Sequence, residues 1–372
     1  MVGLIAHEWI SLHGGSENVA ESMAKAFPDA DILSLWNDAP HRFEGRKVLE
    51  SWLARTPLRR SKAAALPLMP ATWRHVDVSK YDFVLASSHL FAHHVGGPSR
   101  DDGPPKYVYV HTPARYIWTP ELDQRGDNPL ARLASPHLRR LDRARAAEGA
   151  LFAANSRYVR DRIRIAWNQD AAVVYPPVDT ARIQKPKSWR DLLDASDSRI
   201  FDGLPSDFVL GASRFVPYKR VDVAISVGEA LDRPVVLAGA GPLRAQLEER
   251  AASASVPVVV VDRPSDSLLY ALYEAASLFV FPALEDFGIM PVEAMSLGTP
   301  VLVNSVGGAR ESVEAVQGGS VMESFRSEDL RFAAETALGR DSQLMRHRAA
   351  EVFSETTFAS KLNEWMDTDA HR

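Results

Sequence analysis

Eleven short β-rich runs, separated by longer stretches of helical spacing, recur from one end of this chain to the other. In the first half they are Val2–His7, Asp31–Leu35, Phe83–Ser87, Tyr107–His111, Leu151–Asn155 and Ala172–Tyr175. In the second half they are Phe208–Ala212, Val235–Ala238, Val258–Asp262, Leu278–Phe281 and Val301–Asn304. Strands that alternate with helices pair in parallel, each helix crossing over the sheet to the next strand. A chain of 372 residues is long enough for two such domains, each with its own core. The pattern predicts an α/β protein of two tandem Rossmann-like, doubly wound domains, residues 1–175 and 176–357. The boundary is set at Tyr175-Pro-Pro-Val-Asp179, where two prolines halt regular structure. The stretch Gln184–Ser206, rich in Asp, Ser, Pro and Lys, reads as a connecting segment. Residues 358–372 are expected to form a terminal helix, with Phe358–Met366 at helical spacing, that packs back on the first domain.

Composition narrows the chemistry. With no cysteine, disulfides, thiolate metal sites and cysteine nucleophiles are excluded. No apolar run is long enough to span a membrane, and Met1-Val-Gly-Leu-Ile-Ala-His-Glu-Trp9 lacks the features of a signal peptide, so a cytoplasmic location is expected. The net charge of −5 divides into +3 over residues 1–180 and −8 over residues 181–372. Eight arginines against three acids fall within Arg139–Arg164. Solvated helix faces are one reading of that stretch; a surface drawn to an anionic acceptor or to the anionic inner face of a membrane is the other. The acidic whole argues against nucleic acid.

In doubly wound folds, ligands bind at the carboxyl ends of the strands, beside the switch point of the sheet. A cleft between two such domains is the expected meeting place of two substrates. Two carboxylates stand out against this frame, in Pro282-Ala-Leu-Glu-Asp-Phe-Gly-Ile-Met-Pro-Val-Glu-Ala-Met-Ser-Leu-Gly-Thr-Pro300. Glu285 falls in a strand-to-helix loop and Glu293 in the first turns of a helix over Pro291–Leu297. Between them the amides of Phe287, Gly288 and Ile289 lead into a helix N-terminus, which favours an anion. Two hydroxyl-binding carboxylates flanking an anion site describe a sugar nucleotide. In Gly211-Ala-Ser-Arg-Phe-Val-Pro-Tyr-Lys-Arg220, Arg214 follows a strand and Lys219 is expected to open the next helix. Cations there oppose the helix dipole unless an anion is held beside them, and an Arg/Lys pair suits a diphosphate.

In the first half, Tyr109-Val-His-Thr-Pro-Ala-Arg115 places His111 at a strand end, as a hydrogen-bond donor or as an acid or base near neutral pH. His13-Gly-Gly-Ser-Glu17 places Gly14 and Gly15 where a backbone can approach a ligand closely. Neither this turn nor Leu237-Ala-Gly-Ala-Gly-Pro-Leu243 has the Gly-x-Gly-x-x-Gly of a dinucleotide site, which counts against a dehydrogenase. The Asp-x-Asp pairs at Asp29/Asp31 and Asp367/Asp369 precede a strand and lie in the tail, where a cleft ligand would not reach. His89, His93 and His94 have no carboxylate or thiolate at ligand spacing, so no metal site is expected. With Arg214 and Lys219 as fixed cations, a leaving diphosphate requires none.

Taken together, Ser213-Arg-Phe-Val-Pro-Tyr-Lys-Arg-Val-Asp222, Glu285-Asp-Phe-Gly-Ile-Met-Pro-Val-Glu293, His111-Thr-Pro-Ala-Arg-Tyr-Ile-Trp118 and His13-Gly-Gly-Ser-Glu17 resemble the retaining glycosyltransferases of family four, of GT-B fold. The likeness is strongest to the bacterial branch of GDP-mannose-dependent mannosyltransferases. It implies an acceptor-side first domain and a second domain that binds a nucleoside diphosphate sugar, with no cofactor beyond that donor. Arg214 and Lys219 would bind the diphosphate, and Glu285 the hydroxyls of the transferred sugar. Phe287–Ile289 would support sugar and phosphate, and Glu293 the ribose. His111 would contact the donor sugar and Gly15 border the phosphates. Transfer would retain anomeric configuration by front-face attack, without a metal. A glycan, a lipid-linked sugar and a small molecule stay open as acceptors, UDP- and dTDP-sugars as donors, and the oligomeric state is open. An epimerase or phosphorylase on the same architecture, and a non-catalytic sugar-nucleotide-binding partner, are the competing readings.

Overall fold

A computed structural model describes residues 2–98, 103–119 and 129–368, the side chains of 129–134 excepted. Asp369 of the second Asp-x-Asp pair lies outside the described residues. The chain divides into two units, Met1–Pro177 with Phe358–Arg372, and Val178–Thr357.

The first unit is built on a seven-stranded parallel sheet of β1 (Gly3–His7), β2 (Asp31–Ser34), β3 (Val48–Glu50), β4 (Phe83–Ser88), β5 (Lys106–Val110), β6 (Leu151–Ala154) and β7 (Ala172–Val173), in the order β3-β2-β1-β4-β5-β6-β7. The strand order reverses between β1 and β4. In the second unit β8 (Val209–Ala212), β9 (Val235–Gly239), β10 (Val258–Asp262), β11 (Leu278–Phe281), β12 (Val301–Asn304) and β13 (Gly319–Met322) follow the order β10-β9-β8-β11-β12-β13, reversing between β8 and β11. Each unit is a doubly wound, Rossmann-like domain with one switch point.

The central strands are apolar on both faces because helices cover both. β1, β4, β5, β8 and β11 are buried along their whole length. Helix starts follow side-chain caps: Ser156 accepts from the Val159 amide at 3.0 Å, and Asp194, Ser265 and Asp341 do the same for helices in the second unit.

The structure adds two strands that the sequence pattern did not show, β3 and β13, each at a sheet edge. The stretch read as a connecting segment is ordered structure of the second unit instead. It holds a 3₁₀ turn, Arg190–Leu192, and a helix, Ala195–Asp202, and the Glu274 carboxylate ties down Ser188 and the Trp189 amide at 3.0 and 2.9 Å. The helix Glu355–Asp367 buries Phe358, Leu362, Trp365 and Met366 in one core with Ile5, Phe83, Leu85, Tyr107 and Tyr109 of the first unit. Among the described residues, no helix is long and apolar enough to cross a membrane.

Candidate active site

In the second unit the predicted residues lie on the segments that follow β8 and β11, the strands flanking the switch point. β8 ends at Ala212, and Arg214 follows, exposed, donating to the Tyr218 hydroxyl at 2.6 Å. Lys219 does not open a helix. It closes a single 3₁₀ turn, Pro217–Lys219, because Arg220 adopts a left-handed conformation (φ 48°), and the helix begins only at Val223. The helix-dipole penalty expected for Lys219 therefore does not apply. Its ammonium finds a different partner: it donates to Oε1 of Glu285, in the loop after the neighbouring strand β11. The lysine side chain is 11% exposed and the glutamate 19%. The two groups read as separate contacts to phosphate and sugar are thus bonded to each other.

Glycines fix the loop that carries Glu285. Gly288 (φ 88°) takes a left-handed conformation to begin the helix Ile289–Ser296, so the amides of Phe287, Gly288 and Ile289 do lead into a helix N-terminus. Phe287 is buried, its ring edge-on to Phe353 at 5.5 Å. A second glycine pair, unremarked in the sequence, clamps this loop from the end of β12. Gly307 (φ 107°) packs against the Glu285 backbone, and the Gly308 amide donates to the Glu285 carbonyl at 2.8 Å. Two glycines between a strand and a helix are the signal that could have found it.

Glu293 sits on the helix, partly buried. Tyr270 donates its hydroxyl hydrogen to Glu293 Oε1 at 3.4 Å and accepts from Arg182 Nη2 at 3.0 Å. Burial pushes the Glu293 carboxyl up to about 7, with Asp266 adding to that and Tyr270 and Arg182 opposing it. No sequence spacing marked Tyr270 or Arg182.

The first unit has its own polar cluster at the carboxyl ends of its strands. His111 follows β5, its carbonyl accepting from Asn155 Nδ2 at 3.0 Å and its amide donating to the Ser88 carbonyl at 2.8 Å. Its Nε2 lies 2.8 Å from Ser87 Oγ, and Ser87 Oγ lies 3.1 Å from Nδ1 of His7. Burial, reinforced by His7, lowers His111 to about 3, so His111 is a neutral hydrogen-bonding group at pH 7 and not an acid or base titrating there. His7 and Ser87 were not expected to bear on the site; a polar residue ending an otherwise apolar strand was their signal. Gly14 precedes, and Gly15 begins, the helix Gly15–Ala26, and both are exposed. The first turn already carries a carboxylate, the buried Glu17, held by the Ser11 amide at 3.3 Å and the Ser16 hydroxyl at 2.8 Å.

Two further expectations change. The basic stretch is not uniformly a solvated face: Arg162 is buried and donates to the hydroxyls of Thr112 at 2.8 Å and Thr119 at 2.9 Å. A carboxylate does accompany the histidines, from 48 residues away. Asp142 Oδ1 lies 3.0 Å from Nε2 of His93 and 3.2 Å from Nε2 of His94, all three residues buried. Asp142 Oδ2 also accepts from the indoles of Trp118 and Trp167 at 2.7 and 2.6 Å, and with His94 three N–H groups solvate the one carboxylate. Against the burial that would raise it, the neighbouring His93 and His94 hold the Asp142 carboxyl well below the usual range.

The comparisons with known proteins agree with this architecture. Residues 13–182 match the model of Glycosyltransferase Family 4, and residues 202–351 match that of Glycosyl transferases group 1. The chain is 29% identical to the D-rhamnosyltransferase WbpZ of Pseudomonas aeruginosa over 181 residues, 47% of this chain and 44% of that one. It is 33% identical to the D-inositol 3-phosphate glycosyltransferase of Streptomyces avermitilis over 213 residues, 51% of this chain and 45% of that one. The chain thus spans less than half the length of these curated relatives. Among solved structures, that of Anabaena Alr3699/HepE in complex with UDP superposes with a TM-score of 0.69 at 18% identity, covering 99% of this chain and 100% of that one.

Proposed function

The chain belongs to the glycosyltransferases of family 4, and on that premise we propose that it moves a hexosyl group from a nucleoside diphosphate sugar to an acceptor hydroxyl, with retention of configuration and without a metal ion. The observation that carries this reading is the Lys219–Glu285 pair at the switch point between β8 and β11, beside the amides that begin the helix Ile289–Ser296. Lys219 and Arg214 meet the diphosphate as fixed positive charges and stabilise it as it leaves. Glu285, released from Lys219, accepts hydrogen bonds from hydroxyls of the transferred sugar. Glu293 holds the ribose, and His111 donates to a sugar hydroxyl or phosphate oxygen.

Retention follows from front-face attack, in which an oxygen of the departing phosphate takes the acceptor proton. The Glu285 carboxylate is already hydrogen-bonded to Lys219, which suits it to binding hydroxyls better than to forming a glycosyl-enzyme. GDP-mannose is the first donor we propose. UDP- and dTDP-sugars are the second, since the Anabaena protein of like fold holds UDP. The acceptor is a glycan, a lipid-linked sugar or a small molecule.

The test is a panel of nucleoside diphosphates and their sugars. The cognate base raises the unfolding temperature by mass action. Incubation of that donor with acceptors, and NMR of the anomeric proton of the product, then reads the transfer. Inversion at the anomeric carbon, or a need for inorganic phosphate, overturns the proposal.

A further inference from the structure

The strand register of the first unit sets three side chains in a row. β1 and β4 are parallel neighbours at the switch point, and His7 and Ser87 are direct partners across them. His111 follows β5, the strand on the other side of β4. Ser87 Oγ therefore sits between two imidazoles, 3.1 Å from His7 Nδ1 and 2.8 Å from His111 Nε2. His7 and Ser87 are both fully buried.

A hydroxyl has one hydrogen and can donate it to only one of the two rings, so the row runs one way or the other. Both rings are neutral at pH 7, chiefly because burial disfavours their charged forms, so each carries a single N–H. If Ser87 donates to His7, then His111 must donate from Nε2, and His7 must carry its hydrogen on Nε2. If Ser87 donates to His111 Nε2, then His7 donates from Nδ1 and keeps only a lone pair on Nε2, while His111 carries its hydrogen on Nδ1.

His7 Nε2 decides between them. It is buried and has no hydrogen-bond partner among the described residues. A buried N–H without an acceptor is rarer and more costly than an under-used lone pair. The charged groups around the ring divide, Glu17 against Arg42 and Lys62. We propose that His7 and Ser87 are positioning residues that hold His111 as the Nδ1–H tautomer, presenting its hydrogen to a hydroxyl or phosphate oxygen of the bound sugar nucleotide. This is the reverse of the tautomer that predominates for a free imidazole side chain in water. The tautomer stands on the geometry of the row and on the neutrality of both rings; its use rests on the transferase reading above.

The experiment is long-range ¹⁵N–¹H correlation NMR of the full chain labelled in histidine, with His111 assigned by substitution. The expected wild-type spectrum has His111 protonated on Nδ1, with Nε2 resonating as an unprotonated, hydrogen-bonded nitrogen. Ser87→Ala moves His111 toward Nε2–H and lowers kcat on the order of tenfold, the effect of one misdirected hydrogen bond, with little change in KM for donor. His7→Asn, which keeps a donor near the Nδ1 position, retains the wild-type tautomer, and His7→Leu does not. A wild-type spectrum with the hydrogen on Nε2 overturns the inference whatever the activity, and so does an unaltered kcat in Ser87→Ala. Failure of the transferase reading looks different: no product forms with any donor while the His111 spectrum stays as described. Should a variant fail to fold, the wild-type spectrum alone decides the tautomer.

Discussion

Lys219 and Glu285, 66 residues apart in the chain, form a hydrogen-bonded ion pair across the switch point of the second sheet. Each neutralises the other, so in the proposed site a sugar nucleotide would divide them, its phosphate taking the lysine and its hydroxyls the carboxylate. The two partners then fail in different ways. Lys219→Ala weakens binding of the bare nucleoside diphosphate. Glu285→Gln frees Lys219, so that affinity for the bare diphosphate holds or rises, while transfer falls on the order of 10²–10³ as for other lost contacts to developing charge. Calorimetry with nucleoside diphosphates beside steady-state kinetics separates them. Near-normal transfer in both variants refutes the site.

Glu293 gives donor binding a pH dependence. Burial raises its carboxyl to about 7, and the ribose contact proposed for it needs the ionised, accepting form. Affinity for a nucleoside diphosphate should therefore rise with pH through about 7 and level off above it, with a proton released on binding below that point. Tyr270→Phe removes a hydrogen bond that favours the carboxylate, and Arg182→Leu removes a favourable positive charge, so both move the midpoint upward. A 2′,3′-dideoxy nucleotide loses the dependence. Calorimetry in buffers of differing ionisation enthalpy measures the proton directly, and a flat profile from pH 6 to 8 excludes this role for Glu293.

Asp142 is a structural carboxylate. Its depressed pKa contributes stability that is fully present above the usual aspartate range and is lost as pH falls through it. Asp142→Ala strands three buried N–H donors, those of His94, Trp118 and Trp167, and should destabilise by about 3–5 kcal/mol, the range for breaking a buried charged group from its partners. Urea unfolding of the variant measures this. If the cluster is closed to cations, zinc or nickel leaves the unfolding temperature of the native protein unchanged, and a chelator leaves transfer unchanged.

The sheets were legible because apolar β-branched runs bounded by turns leave few alternatives. β3, only Val48-Leu-Glu50 and partly exposed, carries too little pattern to be seen, and β13 opens on Gly318-Gly319, which reads as a turn. Arg214 and Glu285 stood out because each lies in the loop just after a strand, and Lys219 and Glu293 because they fall in the same strand-to-helix stretches, though Lys219 does not open the helix expected of it. The partners of those residues did not. That Lys219 reaches Glu285 depends on β8 and β11 being neighbours, a fact of strand order. The same holds for Asp142 and the histidines: spacing along the chain says nothing about a carboxylate 48 residues away.

The terminal helix Glu355–Asp367 offers the last test. Phe358 is 2% exposed, Leu362 0%, and Trp365 and Met366 each 8%. The Tyr107 hydroxyl donates to the Met366 carbonyl at 3.0 Å, and the Trp365 ring stands edge-on to Tyr107 at 5.5 Å. Burying four such side chains contributes roughly 1.5–3 kcal/mol each, a sum comparable to the whole stability of a domain. Ending the chain before Phe358 should therefore leave the first unit unable to fold cooperatively, though its own seven strands are intact. Trp365→Ala should cost about 3–5 kcal/mol and expose apolar surface. Chemical unfolding, followed by signals assigned to each unit, reads the effect. A truncated chain whose first unit unfolds at the native denaturant midpoint shows the helix to be dispensable.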